Sequence, residues 1–228
     1  MYIDNYYLIL VVPTIILSMW AQFMVKSTFA KYSKVPSSRR ISGQNAANLL
    51  LKANSISNVG IQAIQGSLTD HFDPSAKMIR LSEPVYGNTS ISAIGVAAHE
   101  AGHAIQHAIK WKPILIRKTL VPVANIGSSF GPWIAIAGIG ASHPLLTNIG
   151  ILLFSGSVLF YVLTLPVEFN ASNRALSFLQ NNNVLNKEEL KGAKKVLFAA
   201  ALTYVASALT AIMNLLRLIL RTRGQSRR

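Results

Sequence analysis

The sequence predicts a mostly α-helical protein in which several membrane-crossing helices accompany a small α+β part. Three observations lead there. Hydrophobic residues make up 51% of the 228-residue chain and charged residues only 13%, about half the charged share of an ordinary soluble domain. The apolar residues gather in four stretches with little or no charge, Tyr6–Val25, Thr119–Ala141, Leu145–Val167 and Val196–Leu216. Each has the roughly twenty residues needed to cross a hydrocarbon core of about 30 Å. Between the first two stretches lies a polar segment in which short β-prone runs alternate with turn residues. As buried helices of a soluble core, four such stretches would leave too little sequence to cover them.

The first stretch has no basic segment before it and no small-residue cleavage motif after it, so it reads as a retained anchor. Pro13 is tolerated in a membrane helix. "KSTFAKYSKVPSSRR" then extends the helix into a basic loop. Ser42 caps a short helix, "GQNAANLLLKANS", with Ala46, Leu49 and Leu50 on one side. "VGIQAIQGSLTDHFDPSAKMIRLSEPVY" predicts a small hairpin, with "DHFDPSA" as its turn and "KMIRLS" as a strand. Thr89 or Ser90 caps a helix running to about Lys110, which Pro113 ends. A membrane hairpin follows. In it Gly127 and Gly131, one helical turn apart, signal either close helix contact or the ordinary glycine content of membrane helices. Leu165–Gln180 continues the third span out of the membrane as a helix. After the loop "NNNVLN", "KEELKGAKKVL" opens the last helix with acids ahead of bases. The expected segments are thus an anchor (1–25), a cytosol-facing segment (26–118), a membrane hairpin (119–167), a second cytosol-facing segment (168–195), and a last helix with a basic tail (196–228).

The net charge is +14. Lys and Arg flanking membrane spans are the commonest cause of such an excess, since they mark the cytoplasmic side and the anionic leaflet. No nucleic acid partner is expected. Residues 26–118 hold twelve Lys and Arg, residues 168–195 hold five, and the turn 142–144 holds none. This predicts a multi-pass protein of the plasma membrane with the amino terminus outside and both polar segments in the cytoplasm. A fourth full span would put Arg221, Arg223, Arg227 and Arg228 outside, against the rule. Either the last helix does not cross, or Arg217 and its neighbours snorkel to an interface. There is no cysteine, and therefore no disulfide or thiolate site.

The chemistry concentrates in "AAHEAGHAIQHA", residues 97–108. On a helix, His99 and His103 share a face about 6 Å apart along the axis, within reach of one zinc ion. Glu100 stands beside them, where a carboxylate takes the proton of a water that attacks a carbonyl. The small neighbours Ala97, Ala98, Ala101 and Gly102 leave room for an ion and a substrate backbone. A catalytic zinc needs a third protein ligand. His107 lies about 12 Å along the axis from His99, which suits a supporting role. His143 falls in the turn on the opposite side, and Ile109 stands where an H-E-x-x-H-x-x-G-x-x-H motif needs histidine. Glu168 remains: two spans bring the chain back to the side of His99 and His103. Its alternative role is an interfacial carboxylate paired with Arg174.

Asn170, Ser172, Asn173 and Arg174 follow on the same helix. They are candidates to orient ligands or stabilise an oxyanion, or are plain surface polarity. Asp70, His71 and Asp73 form a second possible metal cluster, better explained by turn hydrogen bonds. The strand Lys77, Met78, Ile79, Arg80 and Leu81 precedes the metal helix, and an edge strand there would hold an extended substrate by strand addition.

The blocks "KYSKV", "LTDHFDPSAKMIRLSEPVY", "GVAAHEAGHAIQHA", "LPVEFNASNRAL" and "ALTYVASALTAI" resemble the YugP-type neutral zinc metallopeptidases of bacterial membranes over most of the chain. A more distant similarity is to the HtpX-type and CAAX-processing peptidases, which usually carry an aspartate four residues after their third-ligand glutamate. Here that place is Ser172. The resemblance implies a zincin-like catalytic part, a short hairpin plus the H-E-x-x-H helix. It implies one Zn2+ on His99 and His103, with Glu100 as base. The resulting expectation is a membrane zinc endopeptidase acting on polypeptides, membrane proteins among them, in membrane quality control. The alternatives are a non-catalytic membrane protein with a structural metal, and a basic scaffold on the bilayer.

Overall fold

The longest apolar runs form the longest helices. The computed structural model describes residues 4–225, with side chains to residue 222. In chain order the elements are α1 (Val12–Tyr32), α2 (Gly43–Ala53), β1 (Gly60–Ile64), β2 (His71–Asp73), β3 (Met78–Ser82), α3 (Glu83–Tyr86), α4 (Ile91–Ala108), α5 (Lys112–Gly140), α6 (Pro144–Asn181) and α7 (Lys187–Gln225). Four helices are long and apolar enough to cross a membrane: Tyr7–Tyr32, Lys112–Gly140, Pro144–Asn181 and Lys187–Thr222. A π-helical turn, Tyr7–Val11, leads into α1. Pro13 has no N–H for the Ile9 carbonyl and its ring crowds that oxygen, which accounts for the widened turn.

The chain divides into two units. One is built from Met1–Gln22, Leu115–Pro166 and Leu202–Arg228. Within it, glycine is required where α5 meets α6. A Cβ at Gly127 would lie 2.1 Å from the Leu153 carbonyl oxygen, and one at Gly150 would lie 2.2 Å from the Ala135 nitrogen. Gly127 therefore serves close helix contact rather than mere composition. Ser157 Oγ donates across the same contact to the Ala124 carbonyl at 2.9 Å. At the end of α7, Arg217 is buried. Its Nη2 donates to Asp4 Oδ2 at 3.0 Å, its guanidinium lies over the Tyr7 ring, and Arg221 Nη1 stands 3.3 Å from the same carboxylate. Asp4 thus offsets part of the arginine charge that the positive-inside count left against a fourth span. The side chains of Arg223, Arg227 and Arg228 lie outside the described residues.

The other unit comprises Phe23–Ile114 and Val167–Ala201. Its core surrounds α4. Ile94, Ala97, Ala98, Ala101 and Ile105 pack with Leu50 and Leu51 of α2, Ile79 and Leu81 of β3, Leu179 of α6 and Val196 of α7. Each fully buried Leu or Ile contributes roughly 1.5–3 kcal/mol. Ser42 and Ser90 cap α2 and α4, accepting from the N–H groups of Asn45 and Ala93. The helix α4 stops at Ala108 through its own carbonyls: Lys110 takes a left-handed conformation (φ 52°), its N–H reaches the His107 carbonyl, and the Trp111 N–H reaches that of Gln106. Pro113 does not end this helix; it sits in the first turn of α5, where its missing N–H costs nothing.

The sheet has three strands in the order β1-β3-β2. The predicted hairpin is β2–β3, antiparallel with Phe72 opposite Ile79, while β1 adds in parallel with Ile61 opposite Ile79. The turn is shorter than the expected 70–76 and occupies 74–77. His71–Asp73 is strand, and Asp73 Oδ1 accepts from the N–H groups of Ser75 and Ala76 to build the turn. The expectation that Lys77, Met78, Ile79, Arg80 and Leu81 form an edge strand for substrate is overturned. Met78, Ile79 and Arg80 are paired on both sides, and beyond β2 the Ser82 N–H and hydroxyl are held by Asp70 Oδ1. With both of its sides occupied, this strand has no free ladder to offer.

Candidate metal centre

Almost the whole of α4 is buried, so the polar groups on it must find partners inside. Four of them lie in sequence as His99, Glu100, His103 and Gln106. His103 and Glu100 are 9% and 8% exposed and Gln106 is 0% exposed. What brings their partners close is Gly102. A Cβ there would lie 2.7 Å from the carbonyl oxygen of Ala171 on α6. The small residues of α4 therefore do not leave room for a substrate. Ala97, Ala98 and Ala101 are fully buried in the core, and Gly102 lets the two backbones touch.

That contact places Glu168, 2% exposed, against the two imidazoles. Its Oε2 lies 3.3 Å from His99 Nε2 and 3.4 Å from His103 Nε2. The potential ligand atoms of the three residues all fall within 4.8 Å of one another. A tetrahedral zinc with bonds of about 2.0–2.1 Å separates its ligand atoms by about 3.3–3.4 Å, so the donor set fits such an ion. The outer nitrogens fit as well. His99 Nδ1 is 3.0 Å from Ser172 Oγ and His103 Nδ1 is 3.0 Å from Gln106 Oε1, which leaves both Nε2 atoms for the centre. Among the described residues no other group of three such side chains forms a cluster of this kind.

The charges agree. Burial alone would lower the basicity of His103, but its hydrogen bond and attraction to Glu168, with the nearby charge of Glu100, raise it above the ordinary value. Glu168 lies past the apolar span. Burial works to raise its carboxyl, yet His103 and His99 hold it well below the usual carboxylate range. A carboxylate kept charged in a buried place, facing two imidazoles, is the electrostatic setting of a cation site.

The remaining candidates distribute as follows. Ser172 contacts His99 directly, its Oγ 3.0 Å from His99 Nδ1. Asn170 Oδ1 accepts from Gln106 Nε2 at 3.0 Å and from Arg174 Nε at 2.8 Å, so Arg174 pairs with Asn170 and not with Glu168. Asn173 is exposed and makes no hydrogen bond in the cluster. His107 is outside it and packs its ring on Phe72 of β2, centroids 5.5 Å apart. Asp70, His71 and Asp73 serve the sheet: Asp70 is bound by Ser82, His71 Nδ1 by the Thr69 carbonyl, and Asp73 by Arg80 at 2.7 Å. Sequence reasoning missed Gln106. Its signal was available: an amide three residues after His103 on a face of alanines and isoleucines has to be satisfied from within.

The matching family model, described as "Putative neutral zinc metallopeptidase", covers residues 7–223. The chain belongs to this family. It is 44% identical over 214 residues to a protein of Bacillus subtilis (strain 168) whose name reads "Putative membrane protease YugP", covering 94% of this chain and 95% of that one. No solved structure matches the chain. The family's zinc, the four membrane-competent helices and the His99–His103–Glu168 group agree with one another.

Proposed function

We propose that this protein is a membrane zinc endopeptidase that hydrolyses polypeptides at the cytoplasmic face of the plasma membrane. The observation that carries the reading is the group His99, His103 and Glu168, with ligand-atom separations of 3.3 and 3.4 Å and Glu100 adjacent in the same helix. His99 Nε2, His103 Nε2 and Glu168 Oε2 would hold the ion, and Ser172 and Gln106 would keep the imidazoles turned toward it. Bound zinc supplies a Lewis acid that polarises the scissile carbonyl and acidifies a water. The Glu100 carboxylate takes a proton from the attacking water. The carbon–oxygen bond forms, the carbon–nitrogen bond breaks, and Glu100 passes the proton to the departing amine.

Lys and Arg bias supports a cytoplasmic site: residues 26–118 and 168–195, which carry all of its residues, hold twelve and five of them, and the 142–144 turn holds none. A hydrolytic centre tethered by four spans suits segments of membrane proteins and damaged chains, as in quality control. The test is Glu100→Gln in purified protein. Casein cleavage is expected to fall by about 10²- to 10⁴-fold with zinc content unchanged. Zinc bound without any wild-type cleavage would instead favour a structural metal, and absence of zinc from wild type would remove the reading altogether.

A further inference from the structure

We propose that Arg174, acting through Asn170 and Gln106, is a positioning residue that decides which nitrogen of His103 faces the metal. The inference rests on the metal reading above and adds a remote determinant to it. Arg174 and Asn170 hydrogen-bond no metal-ligand side chain.

Two members of the chain of contacts have fixed roles. A guanidinium only donates and a backbone carbonyl only accepts. Arg174 Nε donates to Asn170 at 2.8 Å, so the Asn170 atom it meets is the oxygen, Oδ1. That same oxygen accepts from Gln106 Nε2 at 3.0 Å, and the Val167 carbonyl accepts from Gln106 Nε2 at 2.8 Å. Both N–H groups of the Gln106 amide are thereby committed. Its oxygen is the atom left for His103 Nδ1 at 3.0 Å. An amide oxygen only accepts, so Nδ1 carries the hydrogen. Nε2, 3.4 Å from Glu168 Oε2, is then the nitrogen that would offer its lone pair to a metal, giving up any proton it shares with Glu168.

Reversing any one amide breaks the series. Turning Gln106 would bring its NH2 to His103 and set its oxygen against the Val167 carbonyl and Asn170 Oδ1. Turning Asn170 would set its NH2 against the Arg174 Nε–H. Gln106 is 0% exposed, so water does not repair the first fault, and a buried polar group left facing its own kind is costly. At the half-buried Asn170 the Arg174 Nε–H is the donor that holds the oxygen in place. His99 has no such arrangement. Its partner, Ser172 Oγ, is a hydroxyl that donates or accepts by rotation. The orientation of His103 is therefore determined, and its outermost anchor is a side chain six residues beyond Glu168.

The experiment compares Arg174→Gln with Arg174→Met in the full-length, detergent-purified protein. Both remove the charge. The Gln nitrogen Nε2 occupies the place of Arg Nε along the side chain and keeps a donor, whereas the Met methyl has none. Zinc affinity is read by competition with a chelator, beside the unfolding temperature of the metal-free forms. Gln106→Leu is expected to weaken zinc about 10- to 100-fold. Arg174→Met is expected to weaken it roughly 3- to 10-fold, with Arg174→Gln within about twofold of wild type. Adding Arg174→Met to Gln106→Leu should cause no further loss. Equal affinities for the Met and Gln variants, or losses that multiply in the double variant, would overturn the relay. A wild type that binds zinc and a His103→Ala variant that does not would show that such a failure belongs to the relay alone. Wild type that binds no zinc would sink both.

Discussion

Replacing Gly102 by alanine tests whether the close approach of α4 and α6 builds the site. On helix propensity alone the change should stabilise the protein by about 0.5–1 kcal/mol. The structure reverses that expectation. The new Cβ would lie 2.7 Å from the Ala171 carbonyl oxygen and 3.2 Å from both the Ala171 carbonyl carbon and Cα, about 0.7 Å inside the 3.4 Å at which ordinary contact begins. The obstacle is backbone, which does not swing aside as a long side chain does. The helices must separate, and overpacking of this kind costs about 1–3 kcal/mol, more than the propensity gain. Glu168 lies three residues before Ala171 on the same rigid helix, while His99 and His103 ride on α4. A displacement of several tenths of an ångström between them exceeds the roughly 0.2 Å tolerance of metal–ligand bonds. We expect a lower unfolding temperature in detergent and zinc binding weaker by on the order of tenfold or more. A Gly102→Ala protein as stable as wild type, with unaltered zinc affinity, would refute the claim that this contact sets the ligand geometry.

Asp70 offers a test in the sheet. Asp70→Ala leaves the N–H and hydroxyl of fully buried Ser82 without their acceptor and should cost about 1–3 kcal/mol, read by thermal unfolding. Asp70→Asn keeps an acceptor oxygen. Burial holds the Asp70 carboxyl above its ordinary 3.8, against the hydrogen bonds from Ser82. The folded state therefore binds this proton more tightly than the unfolded one, and wild type loses stability as pH rises above that value. The Asn variant should gain on wild type between about pH 4 and pH 7; a gap that is constant or moves the other way would contradict this. In the hairpin of α5 and α6, Gly127→Leu would drive side-chain atoms into a place where even a Cβ meets the Leu153 oxygen at 2.1 Å. Its melting temperature should drop clearly, and an unchanged value would mean that the helices do not pack this closely.

Much of this architecture was written in local patterns. The spans follow from apolar length, the caps at Ser42 and Ser90 from their place before helical runs, and the His99–His103 spacing from helix periodicity. The β2–β3 hairpin was legible because Asp73 and Pro74 make turn chemistry, whereas Lys77, which reads as strand, closes the turn in a left-handed conformation (φ 51°). The parallel partner β1 was not, since β1 and β3 meet across an intervening strand and no local signal encodes a non-sequential pairing. The same blind spot made β3 read as an edge. The small residues of α4 were misread for a related reason. Alanine and glycine look alike whether they face a cavity or another helix, and only the position of Ala171 decides it. Ser172 is legible as a polar residue four places after Glu168, but its contact with His99 depends on how two helices lie. Gln106 carried a signal, an amide on a buried face, that the nearby histidines overshadowed.

The most direct measurement is an experimental structure of the zinc-loaded protein with the metal located by its anomalous scattering. We expect a single peak bonded to His99 Nε2, His103 Nε2 and Glu168 Oε2, at about 2.0–2.2 Å from each. A peak held by other side chains, or one that leaves the Glu168 carboxylate out of bonding distance, would contradict the site on which the hydrolase reading stands.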